Sequence, residues 1–115
     1  MKTLLCNAAR LSALVLLAAC GANPLAVESA GSEALTLRVG QELNLTVGTL
    51  GSGAYEAPII STGSLMFLGD SLISPYTPAG PRQLFRFRGV AVGQAIVVLH
   101  HSGNEPTITD TVLVR

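Results

Sequence analysis

The chain has 115 residues, with seven basic and seven acidic side chains, so its formal net charge is zero. Hydrophobic residues make up 49% of the sequence and charged residues only 12%. This composition fits a single domain with a core of its own, and it excludes the strongly basic surface that nucleic-acid binding requires.

The first 19 residues have the three parts of a secretory signal. Lys2 and Arg10 supply positive charge, residues 11–17 form a short apolar core, and the small residues 18–19 precede a cleavage site. A membrane-spanning helix needs about 20 apolar residues, and this run is roughly half as long. The segment is therefore predicted to target the chain to a membrane without spanning it.

The signal ends in Leu17-Ala18-Ala19-Cys20, which resembles the bacterial lipobox. The resemblance implies that the Cys20 thiol takes a diacylglycerol, that the signal is cut before it, and that the new amine is acylated. Three acyl chains exceed what stable anchoring requires. Gly21 is not the Asp that holds enteric lipoproteins at the inner membrane, which implies the outer membrane, facing the periplasm, in a Gram-negative source. The alternative is an ordinary secretory signal cut near Ala19, with Cys20 a free thiol.

Three regions are predicted: a lipoprotein signal peptide at residues 1–19, a lipidated cysteine and tether at 20–33, and a folded domain at 34–115. Residues 21–33 lack periodicity and are predicted to reach only about 20 Å as a flexible coil. Beyond residue 19 the chain has five arginines, no lysine and seven acids, a net charge of −2. Its only cysteine is Cys20, so no disulfide and no thiolate metal site are predicted.

Alternating apolar residues predict strands in the first half of the domain. Residues 34–39 and 42–47 alternate cleanly, and the two-residue link suggests a hairpin, unless the first strand pairs with the other sheet. A strand over residues 55–60 is weakened by Pro58. Residues 64–68 are predicted as a strand whose inward face is either Leu65 and Phe67 or Met66 and Leu68.

The second half gives the clearest pattern. Residues 69–81 are predicted as a long loop, with room for a short strand at 72–73. The alternation at 82–90 turns two phenylalanines inward and two arginines outward, and the run at 94–100 is typical of a central strand covered on both faces. The last strand is predicted at 107–114. The core predictions from these strands are Phe85, Phe87, Val112 and Val114, with Arg86 and Arg88 outside.

About seven strands with no helical spacing predict an all-β, immunoglobulin-like sandwich. Residues 39–41, 83–99 and 109–114 together resemble the bacterial immunoglobulin-like domains of the chagasin type. In that family a strand with two phenylalanines precedes a Gly-x-Ala strand, and a Val-x-Val strand ends the chain. The resemblance spans roughly residues 35–114.

The resemblance has a functional implication, because chagasin-type proteins inhibit papain-like cysteine proteases with three loops at one end. Those loops correspond here to residues 48–54, 73–81 and 102–106. Their sequences depart from the family: the first loop keeps little beyond the tyrosine, and the chain has no tryptophan. We expect the loops to gather four residues at a candidate binding tip: Leu50, Tyr55, Tyr76 and Asn104. Tyr76 is the exposed aromatic favoured for contact, and its alternative role is packing on the sandwich.

Other candidate sites are better explained structurally. His100 and His101 are adjacent on a strand or its end, so their side chains diverge. A metal site from His101, Glu105 and Asp110 fits no known spacing, and a surface histidine beside a half-buried one is predicted instead. Three arginines form an outward strip that could meet a phosphate or an acidic partner, or pair with Glu42 or Asp110: Arg82, Arg86 and Arg88.

No nucleophile elbow, phosphate-binding loop or carboxylate pair appears, so no catalysis, cofactor or metal is predicted. The sequence favours a lipid-anchored binding or structural module of the bacterial cell envelope. The alternatives are a chagasin-like cysteine protease inhibitor and a subunit whose edge strand docks on an envelope protein.

Overall fold

The computed structural model describes residues 23–48, 52–73 and 81–115, so the predictions for the signal, Cys20, Leu50 and Tyr76 lie outside the described residues. Within these three ranges the chain is all-β, and no helix is long and apolar enough to cross a bilayer. The eight strands of the described residues are β1 (Leu25–Glu28), β2 (Ala34–Leu37), β3 (Glu42–Gly48), β4 (Ile59–Ile60), β5 (Leu65–Ile73), β6 (Arg82–Gly89), β7 (Gly93–Leu99) and β8 (Ile108–Val114).

The strands form two four-stranded sheets, which confirms the predicted immunoglobulin-like sandwich. Sheet A has the order β1-β3-β6-β5, and sheet B has the order β2-β8-β7-β4. Alternate side chains of β3, β6, β7 and β8 point between the sheets and are buried there. Phe85 and Phe87 are completely buried, and Val112 and Val114 lie in the same core, as predicted.

The interpretation of residues 21–33 as a tether is wrong for most of its length. Leu25–Glu28 forms β1, which pairs in parallel with β3, from Leu25 opposite Leu43 to Glu28 opposite Thr46. Leu25 and Val27 alternate with exposed neighbours and pack against the core. A four-residue strand is too short to stand out as a period-two pattern. Only residues 21–24 then separate Cys20 from the folded domain.

The predicted hairpin between residues 34–39 and 42–47 is also wrong, and the stated alternative is confirmed. β2 pairs in parallel with β8 of sheet B, whereas β3 belongs to sheet A. The turn between them therefore connects the two sheets. The alternation of residues 34–39 predicts that Val39 lies on the same face as Leu35 and Leu37. Because β2 ends at Leu37, Val39 is instead exposed in this turn.

The chain crosses from sheet A to sheet B between β1 and β2, and a buried carboxylate holds this crossing in place. Asp110 of β8 is fully buried. Its Oδ2 accepts a hydrogen bond from Ser29 Oγ at 2.7 Å, and its Oδ1 accepts one from the Glu33 backbone N–H at 2.7 Å. Asp110 was a predicted partner for the outward arginines, and that prediction is wrong because the carboxylate points into the sandwich.

Three further strands differ from their predictions. Pro58 lies in the predicted strand 55–60, where only Ile59–Ile60 pairs with β7 and Tyr55 forms an isolated bridge to His101. β5 extends through part of the predicted loop by means of a bulge between Phe67 and Gly69, and its inward residues are Leu65 and Phe67. The second face of β7 is not covered, since Ile96 is 41% exposed.

Candidate functional site at the tip of the sandwich

The strand register brings the strand ends that flank the three predicted loops to one end of the sandwich, which we call the tip. In sheet A, Arg82 at the start of β6 is opposite both Gly48 at the end of β3 and Ile73 at the end of β5. In sheet B, the end of β7 at Leu99 is opposite the start of β8 at Ile108. Residues 52–54 and 102–106 are the described loop segments of the tip.

Tyr55 lies beneath these loops rather than on their surface. Its side chain is 6% exposed, and its hydroxyl donates a hydrogen bond to the Pro106 carbonyl at 2.9 Å. The ring meets the His101 ring edge to face, with centroids 4.8 Å apart. Burial, with a smaller contribution from the charge of Glu105, raises the pKa of Tyr55. The phenol therefore stays a neutral hydrogen-bond donor that supports the third loop from below.

Gln83 fixes the backbone of Tyr55 to β6. Its Oε1 accepts a hydrogen bond from the Tyr55 N–H, and its Nε2 donates one to the Tyr55 carbonyl, both at 2.9 Å. Nε2 also donates to Asp70 Oδ2 at 3.0 Å. The Gln83 amide thus makes the pair of hydrogen bonds with the Tyr55 backbone that a neighbouring strand would otherwise make. Sequence reasoning missed this residue, although a polar side chain in register with the inward Phe85 and Phe87 was the available signal.

The two described loop segments of the tip are bonded to one another. The Ala54 N–H donates to Ser102 Oγ at 3.0 Å, and the Ser102 N–H donates to the Ala54 carbonyl at 2.9 Å. Gly53 has a positive φ of 125°, and a Cβ there would lie 2.7 Å from Ser102 Oγ. Glycine at this position therefore allows the loops to approach this closely. The contacts make the two segments one surface.

His101 orders the third loop internally. Its Nδ1 accepts hydrogen bonds from the backbone N–H groups of Gly103 at 2.9 Å and Glu105 at 3.4 Å. His101 is half-buried and His100 is exposed, as predicted. The structure does not gather His101, Glu105 and Asp110, and no group of three such metal-binding side chains occurs in the described ranges.

Two of the four predicted tip residues can be placed. Asn104 is exposed within the loop that His101 orders, and Tyr55 lies buried below it. Leu50 and Tyr76 fall in segments outside the described residues; these segments join tip positions that are described. The binding roles of all four residues stay predictions.

The three outward arginines form ion pairs with glutamates of sheet A. Arg82 contacts Glu28 at 2.7 Å, and Glu42 contacts both Arg86 at 3.1 Å and Arg88 at 2.9 Å. Hydrogen bonds from Arg86 first, and then from Arg88, lower the pKa of the Glu42 carboxyl. The predicted pairing with Glu42 is therefore confirmed.

The fold is similar to that of known proteins. The crystal structure of the cysteine protease inhibitor EhICP2 from Entamoeba histolytica matches with a TM-score of 0.64 and 14% identity, covering 83% of this chain and 98% of the inhibitor. The solution structure of amebosin matches with a TM-score of 0.50 and 14% identity, covering 79% of this chain and 97% of amebosin. The first likeness supports the chagasin-like fold expected from the sequence. Neither a protein-family model nor a curated protein matches the chain.

Proposed function

We propose that this protein is an inhibitor of papain-like cysteine proteases that acts through its tip. The observation that carries the proposal is the likeness to EhICP2, which extends over 98% of that inhibitor's chain. A generic envelope module would not by itself account for a similarity in fold over almost the whole length of an inhibitor's chain. The likeness therefore favours inhibition over the broader interpretation as a binding or structural module.

The construction of the tip supports the proposal, because an inhibitor gains affinity when its contact loops are ordered before binding. Residues 52–54 and 102–106 are joined by two hydrogen bonds between Ala54 and Ser102, and Tyr55 and Gln83 connect them to the core. These loop segments would therefore need little further ordering when they enter a protease cleft. The inhibitor blocks the cleft by occupying it, so no chemistry by its own residues is needed.

A titration of papain with the purified full chain tests the proposal. We expect inhibition of the hydrolysis of a fluorogenic peptide by papain and no inhibition of the serine protease trypsin. The variant Tyr76→Ser/Asn104→Ala should inhibit about tenfold more weakly, the loss of about 1.4 kcal/mol that a moderate contact supplies. The matched control is Thr36→Ala, an exposed position of β2 in sheet B.

Two results would contradict the inhibitor proposal. The first is more than half of the papain activity remaining at about 100 µM of the folded protein, a concentration that would saturate even a weak complex. The second is equal inhibition constants for the tip variant and Thr36→Ala, which would move the contact surface away from Tyr76 and Asn104.

We also propose that Cys20 carries the lipid that its sequence context implies, which would hold the inhibitor at the cell envelope. The support is the sequence Leu17-Ala18-Ala19-Cys20 at the end of an apolar segment. The expected result is that the wild-type protein fractionates with membranes, with the mass of a triacylated chain beginning at Cys20. Cys20→Ala should lose the acyl mass and the partition into detergent. A Cys20→Ala protein that keeps both would overturn the proposed anchor.

A further inference from the structure

The chain enters the folded domain at the end opposite the tip. This end, which we call the base, consists of the turns at residues 38–41, 61–64 and 89–92. β1 begins here, with Leu25 opposite Leu43. Just before it, the Asn23 carbonyl accepts a hydrogen bond from Gln41 Nε2 at 2.7 Å, which fastens the incoming chain to the first of these turns.

The position of Asn23 limits how far Cys20 can lie from the base. Cys20 precedes Asn23 by three residues, and a fully extended chain spans at most about 3.6 Å per residue. The sulfur-bearing residue therefore lies within about 11 Å of the backbone of Asn23. A lipid on Cys20 would therefore hold the base next to the membrane surface.

The base presents apolar side chains to solvent. Val39 is 46% exposed, Val90 is 39% exposed, and Val92 is 74% exposed. Their turns are joined, since the Gly40 N–H donates to the Gly89 carbonyl at 2.7 Å and the Gly89 N–H donates to the Gln41 carbonyl at 3.0 Å. The base therefore places three exposed valines on turns that are hydrogen-bonded to one another.

Two cations lie at the same end of the domain as these valines. Arg38 is exposed next to Val39, and Arg115 is tied to the same end by its N–H, which donates to the Leu37 carbonyl at 2.9 Å. Neither forms an ion pair with any residue that the structure describes, whereas the nearby Glu42 carboxylate is engaged by Arg86 and Arg88. Exposed apolar groups flanked by unpaired arginines suit a bilayer interface with anionic headgroups.

We propose that the base rests on the lipid bilayer, with Val39, Val90 and Val92 in the interface and Arg38 and Arg115 among anionic headgroups. The proposal rests on the lipid anchor at Cys20. The anchor holds the base beside the membrane and so raises its effective concentration there, which lets a surface of low affinity for lipid stay bound. The seven residues of β3 separate base from tip by roughly 20 Å. The tip therefore points away from the bilayer, toward proteases in the aqueous space.

Tryptophan fluorescence tests this orientation, because the natural chain contains no tryptophan. Val92→Trp and Val39→Trp place the probe at the base, and Leu72→Trp is the matched control. Leu72 is 57% exposed on β5 and lies opposite Gln83 at the tip. Each full-length variant is extracted from bacterial membranes and reconstituted into vesicles of phosphatidylcholine and phosphatidylglycerol, with and without lipid carrying a spin label at acyl carbon 5.

We expect both base probes to have blue-shifted emission and to be quenched at least about threefold more than the Leu72 probe, because an interfacial group lies within about 5–10 Å of the acyl boundary. Equal quenching of base and tip probes in membrane-held protein would overturn the orientation while leaving the anchor intact. Failure to recover any variant with membranes, together with an unmodified mass, would overturn both the anchor and the orientation. Papain inhibition is measured separately on the wild-type protein, so failure of the orientation is distinguishable from failure of the inhibitor proposal.

Discussion

Phe85→Ala and Phe87→Ala are each expected to lower the free energy of unfolding by about 3–5 kcal/mol, the usual cost of removing a ring from a filled core. Both side chains are completely buried on β6, which lies between β3 and β5 in sheet A. The Phe67 ring packs beside both, with centroids 6.2 Å from Phe85 and 5.6 Å from Phe87. Truncation would therefore leave a void that three strands line.

Chemical denaturation with matched slopes measures this loss, and Arg86→Ala is the control. Arg86 lies between the two phenylalanines on the same strand, but its side chain faces outward and contacts Glu42 at 3.1 Å. Exposed ion pairs contribute little, so its removal should cost less than about 1 kcal/mol. Similar, small losses for the three variants would show that the inward face of β6 had been assigned incorrectly.

Asp110→Ala is expected to lower the free energy of unfolding by about 2–6 kcal/mol, because two donors lose their acceptor and each buried polar group left unsatisfied costs about 1–3 kcal/mol. Without it, the Ser29 hydroxyl and the Glu33 N–H keep their positions in the crossing but lose their acceptor. The crossing connects the two sheets, so weakening it affects β1 and β2 together.

Thermal and denaturant unfolding of two comparison variants locate the cause of the Asp110 effect. Asp110→Asn keeps one acceptor oxygen and should cost less than Asp110→Ala. Thr109→Ala changes the neighbouring residue, whose side chain is exposed, and should stay within about 0.5 kcal/mol of wild type. If Asp110→Ala unfolded like Thr109→Ala, the buried hydrogen bonds would contribute nothing to the crossing.

The sequence predicts the strands that are long, alternating and free of glycine or proline inside. β3, β6 and β8 each have seven or eight residues, and each was predicted to within two residues at either end. β1 is only four residues long, so its alternation could not be distinguished from chance. The second half of β5 contains Gly69, Asp70 and Ser71, which have low strand propensity and pair because β6 supplies a template.

The location of the candidate site could be predicted from the sequence, but the contacts that order its loops could not. The strand order of an immunoglobulin-like sandwich is enough to bring the three loops to one end. The contacts that order them depend on pairs far apart in the sequence, such as Gln83 with Tyr55 and Tyr55 with Pro106. No local pattern around a single glutamine or tyrosine specifies such a partner. Tyr55 was therefore predicted to lie in the binding surface, whereas it is buried beneath the loops.

The parallel pairing of β1 with β3 also determines how the domain responds to mechanical load. Tension applied at the N-terminus, with the tip held, pulls β1 along its own axis. The hydrogen bonds of the four pairs from Leu25 to Glu28, and the bond from the Ser29 N–H to the Thr46 carbonyl, lie across this direction. They are strained together, in shear, and do not open one at a time as in a peeled hairpin. A domain anchored through its first residues is thus loaded in shear, and not by peeling, at the strand where the force is applied.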